Sequence, residues 1–208
     1  EDAVELGFYS DRWIDRYVSV AGEPDEAMRA EMEDDLRLVL GDHLSPLPSD
    51  ARAWGWKEPR SIYLLRFWNE TMPGLRFLHF LRDGRDMAFS KNQNQLNWHG
   101  RAVLGDDLKK AKTPTRSIAL WNRVNLAAAD YGESHLGPRY LRVRFEDLFS
   151  SDQSGLRVLV EWFGLPWHPD LFARFSQSKV NASRGDWIPR WESWSPEQQK
   201  IVYSQCGE

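Results

Sequence analysis

One short segment constrains the fold of this chain more than any other. Residues 75–81 have the sequence Leu-Arg-Phe-Leu-His-Phe-Leu, a nearly continuous apolar run that ends at the polar residues Arg82-Asp83-Gly84. A strand that is apolar at successive positions must be covered on both faces, which is typical of parallel sheets. A shorter apolar run at residues 53–56 and the segment Arg-Tyr-Leu-Arg-Val-Arg-Phe at residues 139–145 predict two further strands. The sequence therefore predicts a sheet of three strands.

Helices are predicted before, between and after these strands. Apolar residues recur at helical spacing, and Gly or Pro interrupts the pattern at several ends. The predicted helices span residues 9–20, 25–41, 61–71, 85–98, 114–132, 154–163 and 168–177, with a last short helix from Pro196. Strands that alternate with helices, joined by connections long enough for crossovers, indicate an α/β fold with a mainly parallel central sheet.

The composition is that of a folded globular chain. Its 208 residues are 41% hydrophobic and 28% charged, so we expect a single domain over residues 1–208. No stretch approaches the ~18 consecutive apolar residues that would span a membrane. The single cysteine, Cys206, excludes an intrachain disulfide framework and a zinc site of several cysteines. A reducing compartment fits this cysteine usage, and we expect a cytoplasmic protein.

The charge is divided unevenly along the chain. Residues 1–50 carry 4 basic and 14 acidic side chains, whereas residues 51–208 carry 23 basic and 17 acidic ones. The larger part is therefore net positive and suits an anionic ligand. An acidic helix pair beside an ordinary globular body explains the same division, so charge alone leaves both interpretations open.

Polar residues follow each predicted strand, at the edge where open parallel sheets bind ligands. Arg82 follows the second strand and precedes a predicted helix, whose N-terminal N–H groups favour an anion. A guanidinium binds an oxyanion with two hydrogen bonds, and the hydroxyl of Ser90 is placed to add another. The alternative is a local ion pair between Arg82 and Asp86, with Ser90 as an ordinary helix serine.

The segment that carries these residues resembles a known motif. Residues 77–90 have the sequence Phe-Leu-His-Phe-Leu-Arg-Asp-Gly-Arg-Asp-Met-Ala-Phe-Ser. This resembles the phosphoadenosine-binding motif of the sulfotransferase family, a strand followed by Arg-Asp-x-x-Asp and a Ser eight positions after the Arg. The resemblance implies a three-layer, P-loop NTPase-like fold. It also implies that Arg82 and Ser90 bind the 3′-phosphate of 3′-phosphoadenosine-5′-phosphosulfate (PAPS), the sulfuryl donor.

Three further segments resemble this family in the same order, so that the resemblance covers roughly residues 53–190. Trp-Lys-Glu-Pro-Arg at residues 56–60 implies that Lys57 reaches the reacting sulfuryl group. Tyr-Leu-Arg-Val-Arg-Phe-Glu-Asp-Leu at residues 140–148 implies that Phe145 packs against the adenine. Ser-Arg-Gly-Asp-Trp at residues 183–187 resembles a shortened form of the loop that closes over the 3′-phosphate, with Arg184 and Gly185 as its contacts.

The resemblance implies in-line sulfuryl transfer without a metal. Lys57 would stabilise the charge that develops on the leaving phosphate, and a base would take the proton of the acceptor. Glu58, next to Lys57, and His99, beyond the phosphate-binding helix, are the candidates for this base. His79 lies within an apolar strand and is predicted to be a hydrogen-bonded core histidine. The five histidines show no paired spacing of the kind that binds zinc.

One family feature has no match in the sequence. The family's Pro-(Lys/Arg)-Ser-Gly-Thr-Thr loop, which wraps the 5′-phosphosulfate, does not occur in the 208 residues, and we expect it ahead of Glu1 in a longer protein. Two alternatives remain: a non-catalytic phosphoadenosine-binding or scaffold module, and a P-loop small-molecule kinase. The acceptor is left open among small molecules, glycans, lipids and peptides, without nucleic acid. Trp187, Trp191 and Trp194 are candidates for lining its cleft.

Overall fold

A computed structural model describes residues 13–14, 25–51, 53–106, 108–149, 152–177 and 192–206. It is an α/β structure, mostly helical, with a small parallel sheet, and it confirms the predicted fold class at this level. The helices are α1 (Glu26–Leu44), α2 (Leu65–Thr71), α3 (Gly84–Ala88), α4 (Asn94–Leu104), α5 (Thr113–Tyr131), α6 (Ser154–Trp162), α7 (Asp170–Gln177) and α8 (Pro196–Cys206). Short 3₁₀ helices span Pro59–Leu64, Gly137–Arg139 and Phe145–Phe149, and a π-helical turn spans Gly132–Leu136. Within these ranges no helix is long and apolar enough to cross a membrane.

The sheet contains two parallel strands among the described residues, β1 (Phe77–Leu81) and β2 (Tyr140–Arg144). They pair in register from Phe77 opposite Tyr140 to Leu81 opposite Arg144, so both strands end at the same edge. Helix α5 lies in the crossover between the strands, and α6 packs against β2. The prediction that both faces of β1 are covered is only partly confirmed. His79, on one face, is 3% exposed, whereas Phe80, on the other face, is 46% exposed.

The strand predicted at residues 53–56 is wrong. This segment is irregular, and its first described residues are exposed. The ring of Trp56 stacks on Trp54 at 5.9 Å between centroids and packs on Trp68 at 5.1 Å, while its indole N–H donates to Ser61 Oγ at 3.0 Å. A run of four residues with a glycine between two tryptophans lacks the β-branched side chains that favour a strand. Aromatic packing therefore takes the place of strand pairing here.

A buried hydrogen-bond network joins the two strands to α5. His79, in β1, bonds the hydroxyl of Tyr140 at 2.6 Å and Oδ1 of Asn125 at 2.7 Å. The Asn125 amide donates to the carbonyl of Trp121, so its oxygen is the acceptor from His79 Nε2. His79 Nδ1 therefore accepts from Tyr140. These contacts confirm the prediction of a hydrogen-bonded core histidine.

The predicted helix over residues 85–98 is also wrong, because it is divided into α3 and α4. Ser90 and Asn92 interrupt it: Ser90 Oγ accepts from the N–H of Asn92, and Asn92 Oδ1 accepts from the N–H of Asn94, at 3.1 and 3.0 Å. Such local bonds from side chain to backbone compete with helical ones. The other helices predicted from residue 25 onward are found with ends shifted by a few residues, although residues 59–64 are 3₁₀ rather than α.

The acidic N-terminal helix is attached to the body through a large apolar cluster. Asp25 caps α1 by accepting from the N–H of Met28 at 2.7 Å, and Met28, Met32 and Leu36 form its buried stripe. This stripe packs with the following buried residues from elsewhere in the chain: Trp13, Ile14, Leu64, Phe67 and Trp68. The apolar residues predicted at helical spacing over residues 25–41 therefore form the buried side of α1.

Candidate functional site

The carboxyl ends of the two strands bring Arg82 and Phe145 together. The guanidinium carbon of Arg82 lies 5.8 Å from the centre of the Phe145 ring. The carboxylate of Glu146 accepts a hydrogen bond from the backbone N–H of Asp83 at 3.0 Å, which joins the two strand ends directly. Arg82 is exposed and Phe145 is half-buried, so a ligand can reach both. Parallel pairing in this register thus places the two side chains at the same edge of the sheet.

Asp83 fixes the turn from β1 into α3. Its carboxylate accepts from the backbone N–H of Arg85 at 2.9 Å and pairs with the Arg85 guanidinium at 2.7 Å. Burial raises the pKa of Asp83, but the hydrogen bonds from Arg85 and the charges of Arg85 and Arg144 outweigh burial, and the pKa lies below its ordinary value. Asp83 is therefore an anion that shapes the turn.

Glycine at position 84 allows α3 to lie directly on α5. A Cβ atom there would lie 2.6 Å from the Trp121 ring and 2.8 Å from Ile118. Atoms at that separation overlap, so no larger residue fits without movement of α5. The Arg-Asp-Gly sequence therefore has a packing requirement at its third position.

Two backbone N–H groups at the start of α3 already have acceptors within the protein. The N–H of Asp83 is donated to Glu146 and the N–H of Arg85 to Asp83, so internal carboxylates use both. Helix α3 is also only 5 residues long, which limits its dipole. These two donors are therefore not available to an anion at this edge.

Ser90 lies in the loop between α3 and α4 and is exposed. The amide of Gln93 donates to the carbonyls of Ser90 at 2.7 Å and Met87 at 3.0 Å, and it thereby holds the loop. Next to Ser90, the ring of Phe89 packs edge-on against Trp194 at 4.6 Å. Trp194 thus brings the start of the last helix against this loop.

Lys57 and Glu58 lie in the irregular segment before the first 3₁₀ helix, and not at the end of a strand. Lys57 is exposed. Glu58 caps the 3₁₀ helix: its carboxylate accepts from the backbone N–H of Arg60 at 3.0 Å and from its guanidinium at 3.1 Å. Glu58 is therefore already engaged by a cation in this structure.

His99 lies in the interior of the protein. Its side chain is 0% exposed, and its ring packs against Tyr63 at 5.0 Å between centroids. Its role as a base stays a prediction, in a position that an acceptor cannot reach without rearrangement.

Arg184 and Gly185, together with Trp187 and Trp191, lie outside the described residues. Among the residues that are described, no three His, Cys, Asp or Glu side chains are grouped so as to hold a metal ion.

Sequence reasoning missed two residues that build this site. Glu146 joins the strand ends, and Gln93 holds the loop of Ser90. Glu146 had a signal, because it follows a predicted strand and the ends of neighbouring parallel strands meet. Gln93 had none, because a glutamine in a predicted helix gives no indication that its amide closes a loop.

Comparison with known proteins bears on the same segments. No curated protein and no solved structure was found to match the chain. The sequence model described as the sulfotransferase family matches residues 7–169. That range contains both strands, the Arg82 turn, the Ser90 loop and the Lys57 segment, and it amounts to more than half of the chain. The chain belongs to the sulfotransferase family.

Proposed function

We propose that this protein transfers a sulfuryl group from PAPS to a hydroxyl or amine acceptor. The observation that carries the proposal is the contact of Arg82 with Phe145 at adjacent strand ends, in a chain of the sulfotransferase family. A cation beside an aromatic ring matches a nucleotide that bears an extra phosphate on its ribose. A single domain over residues 1–208, a three-layer P-loop NTPase-like sheet and a cytoplasmic location belong to the same proposal.

The donor would be held mainly by side chains at the strand-end edge. Phe145 would pack against the adenine, and Arg82 would bind the 3′-phosphate with two charge-assisted hydrogen bonds. Ser90, whose loop is held by Gln93, would add its hydroxyl to the same phosphate. Arg184 and Gly185 are the proposed contacts on its other side. Because two backbone N–H groups of the turn already bind carboxylates, the proposal places most of the donor affinity on Arg82.

The transfer step needs a positioned acceptor, a base and a stabilised leaving group. The acceptor oxygen or nitrogen forms a bond to sulfur while the bond from sulfur to the bridging oxygen breaks, and the electron pair leaves with the phosphate. Lys57 would stabilise that developing charge, as a preorganised cation does in phosphoryl transfer. The acceptor's proton goes to a base, for which Glu58 is the more accessible candidate and His99 the buried one. No metal takes part in this proposal.

Calorimetry with 3′-phosphoadenosine 5′-phosphate tests donor binding. Arg82→Ala should weaken binding by roughly tenfold to a hundredfold, because it removes a charge-assisted contact of about 1.5–3 kcal/mol. Lys91→Ala is the matched control, since Lys91 is an exposed cation next to Ser90 and has no role in the proposed site. Equal affinity of wild type and Arg82→Ala would contradict the proposal. Equal affinity for adenosine 5′-phosphate, which lacks the 3′-phosphate, would contradict it as well.

A transfer assay separates the enzyme from its two alternatives. A form of the protein that includes the family's 5′-phosphosulfate loop is supplied with radiolabelled PAPS and a panel of alcohol, phenol, amine and glycan acceptors in the presence of EDTA, and labelled product supports sulfuryl transfer. Binding of the nucleotide without transfer to any acceptor would favour a phosphoadenosine-binding module. Transfer that requires ATP and magnesium would favour a kinase.

A further inference from the structure

A basic cleft lies at the turn between α4 and α5, and the proposed donor site includes none of its residues. Its volume is about 130 Å³, and it is lined by Arg101, Gly105, Asp106, Lys109 and Arg116. We call it the α4–α5 cleft. Arg101 comes from the last turn of α4 and Arg116 from the first turn of α5. The two helices thus contribute cationic side chains to one cleft.

The charges of the cleft are only partly neutralised. Some arginines elsewhere in the structure have acidic partners, such as Glu70 for Arg29, Asp83 for Arg85 and Glu133 for Arg142. Within the described ranges, neither Arg101 nor Arg116 forms a salt bridge. Lys109 and Asp106 are 3.8 Å apart and both are largely exposed, so their pairing is weak. The lining therefore has three cations against one carboxylate, while Asp107 of the same loop lies outside the described residues.

The start of α5 also departs from the usual electrostatics of a helix. The helix dipole favours acidic residues near the N-terminus, and α1 follows this rule with Asp25 as its cap and Glu26 in its first turn. Helix α5 has Lys112 at the N-cap position, no side-chain cap and no acidic residue in its first turn. Basic residues there are repelled by the positive end of the helix dipole, and the cations that line the cleft repel one another. An anion bound in the cleft would offset both repulsions.

We propose that the α4–α5 cleft binds a tetrahedral oxyanion, the sulfate or phosphate group of a ligand. Two guanidinium groups suit such an anion because each donates hydrogen bonds in a planar fork. The lining residues carry a net charge of about two positive units, which matches a dianion. Gly105 has a positive φ of 65° and open space at the position of a Cβ atom, so the turn leaves the entrance clear. This inference does not depend on the proposed sulfuryl transfer.

Titration followed by amide NMR spectra tests the cleft on the 208-residue chain. The probes are inorganic sulfate, inorganic phosphate and glucose 6-sulfate, each at constant ionic strength adjusted with chloride. We expect saturable shifts centred on residues 101–116, and none with chloride alone. Tighter binding of glucose 6-sulfate than of inorganic sulfate would identify an ester group as the ligand, and the reverse order would identify the free ion.

Three variants decide whether anion binding depends on the cleft itself or only on the positive charge of this loop. Arg116→Gln and Arg101→Gln should each weaken binding about tenfold. Lys110→Gln removes an equal charge from the same loop outside the lining, and it should weaken binding less than twofold. Unchanged spectra outside residues 101–116 would verify that each variant is folded. If Arg116→Gln does not fold, Arg101→Gln provides the test. Equal weakening by Lys110→Gln, or shifts that do not saturate, would overturn the proposal. Retained donor affinity in Arg101→Gln would distinguish this site from the one at Arg82.

Discussion

Two segments of this protein were predicted to form a strand that ends in a basic residue, and only one of them forms a strand. Residues 75–84 and residues 53–60 each combine an apolar run with a basic residue at its end. The first forms β1 and its turn, and it presents Arg82 beside the neighbouring strand. The second is irregular, and Trp54 and Trp56 stack along it. An apolar run therefore predicts burial, but strand formation also needs a partner and side chains that suit a pleated surface.

The two segments also differ in what holds them. The β1 segment is attached at three points: His79 to α5 and β2, Gly84 to α5, and the N–H of Asp83 to Glu146. The 53–60 segment, which we call the Trp54 segment, is held by aromatic packing and by contacts near the surface. Substitutions at corresponding features should therefore be costly in the β1 segment and mild in the Trp54 segment.

Replacing one histidine that holds each segment should give the largest difference in stability. His79→Leu removes both hydrogen bonds of a buried side chain, one to the Tyr140 hydroxyl and one to the amide oxygen of Asn125. The free energy of unfolding should fall by about 2–4 kcal/mol. His43→Leu is the control, because His43 contacts the Trp54 segment through Gly55 O at the surface, and it should cost less than about 1 kcal/mol. Urea denaturation measures both, and equal losses would contradict the comparison.

The pH dependence of stability tests the same network. Burial lowers the pKa of His79, and the charge of Arg142 adds to this effect, which outweighs the hydrogen bond with Asn125. The groups that face it are Tyr140, whose pKa burial raises to about 12, and Asn125. As the pH falls through 6.5, the unfolded chain binds a proton that the folded chain does not bind, so the free energy of unfolding should decrease. His79→Gln should show a flatter profile, and an unchanged slope would rule out this role.

Replacing the glycines should give the next largest difference. Gly84→Ala places a Cβ atom 2.6 Å from the Trp121 ring, and the resulting overlap should cost about 1–3 kcal/mol. Gly55→Ala, in the Trp54 segment, meets no atom within 4 Å. It should change the free energy of unfolding by about 0.5 kcal/mol or less, and it should be stabilising if the irregular backbone accepts alanine. Thermal unfolding by calorimetry compares the two, and a tolerated Gly84→Ala would show that α3 can move away from α5.

Replacing the glutamates should give a smaller difference. Glu146→Gln keeps an acceptor for the N–H of Asp83 but removes its charge, which should cost about 0.5–1.5 kcal/mol. Glu58→Gln weakens a contact with Arg60 near the surface and should cost less than about 0.5 kcal/mol. Hydrogen exchange at Asp83 provides the local measurement. Its N–H should exchange faster in Glu146→Gln alone, and the same change in Glu58→Gln would mean that the effect is not local.

The sequence predicted more of the fold than of the site, for reasons that these residues illustrate. The long helices α1 and α5 repeat their apolar spacing over 19 residues each, and β1 lies in a nearly continuous apolar run, so local exceptions do not hide them. The position of Arg82 and Phe145 at one edge of the sheet follows from the parallel pairing of their strands. The irregular Trp54 segment could not, because it depends on Trp68 and Ser61 from the following helices. The division of the helix at Ser90 depends on local side-chain bonds, for which propensity alone is a weak guide.

Lys57→Ala should give the smallest change in stability, and for that reason it is informative about function. Lys57 is exposed in the irregular Trp54 segment, so its loss should change the free energy of unfolding by less than about 0.5 kcal/mol. If Lys57 stabilises the leaving phosphate as proposed, the turnover number for sulfuryl transfer should fall far more than affinity for the donor. Arg82→Ala should instead weaken affinity for the donor far more than it lowers the turnover number, because Arg82 is proposed to bind the donor. Normal turnover of Lys57→Ala at saturating donor would contradict its role, and the Trp54 segment would then have no demonstrated part in the chemistry.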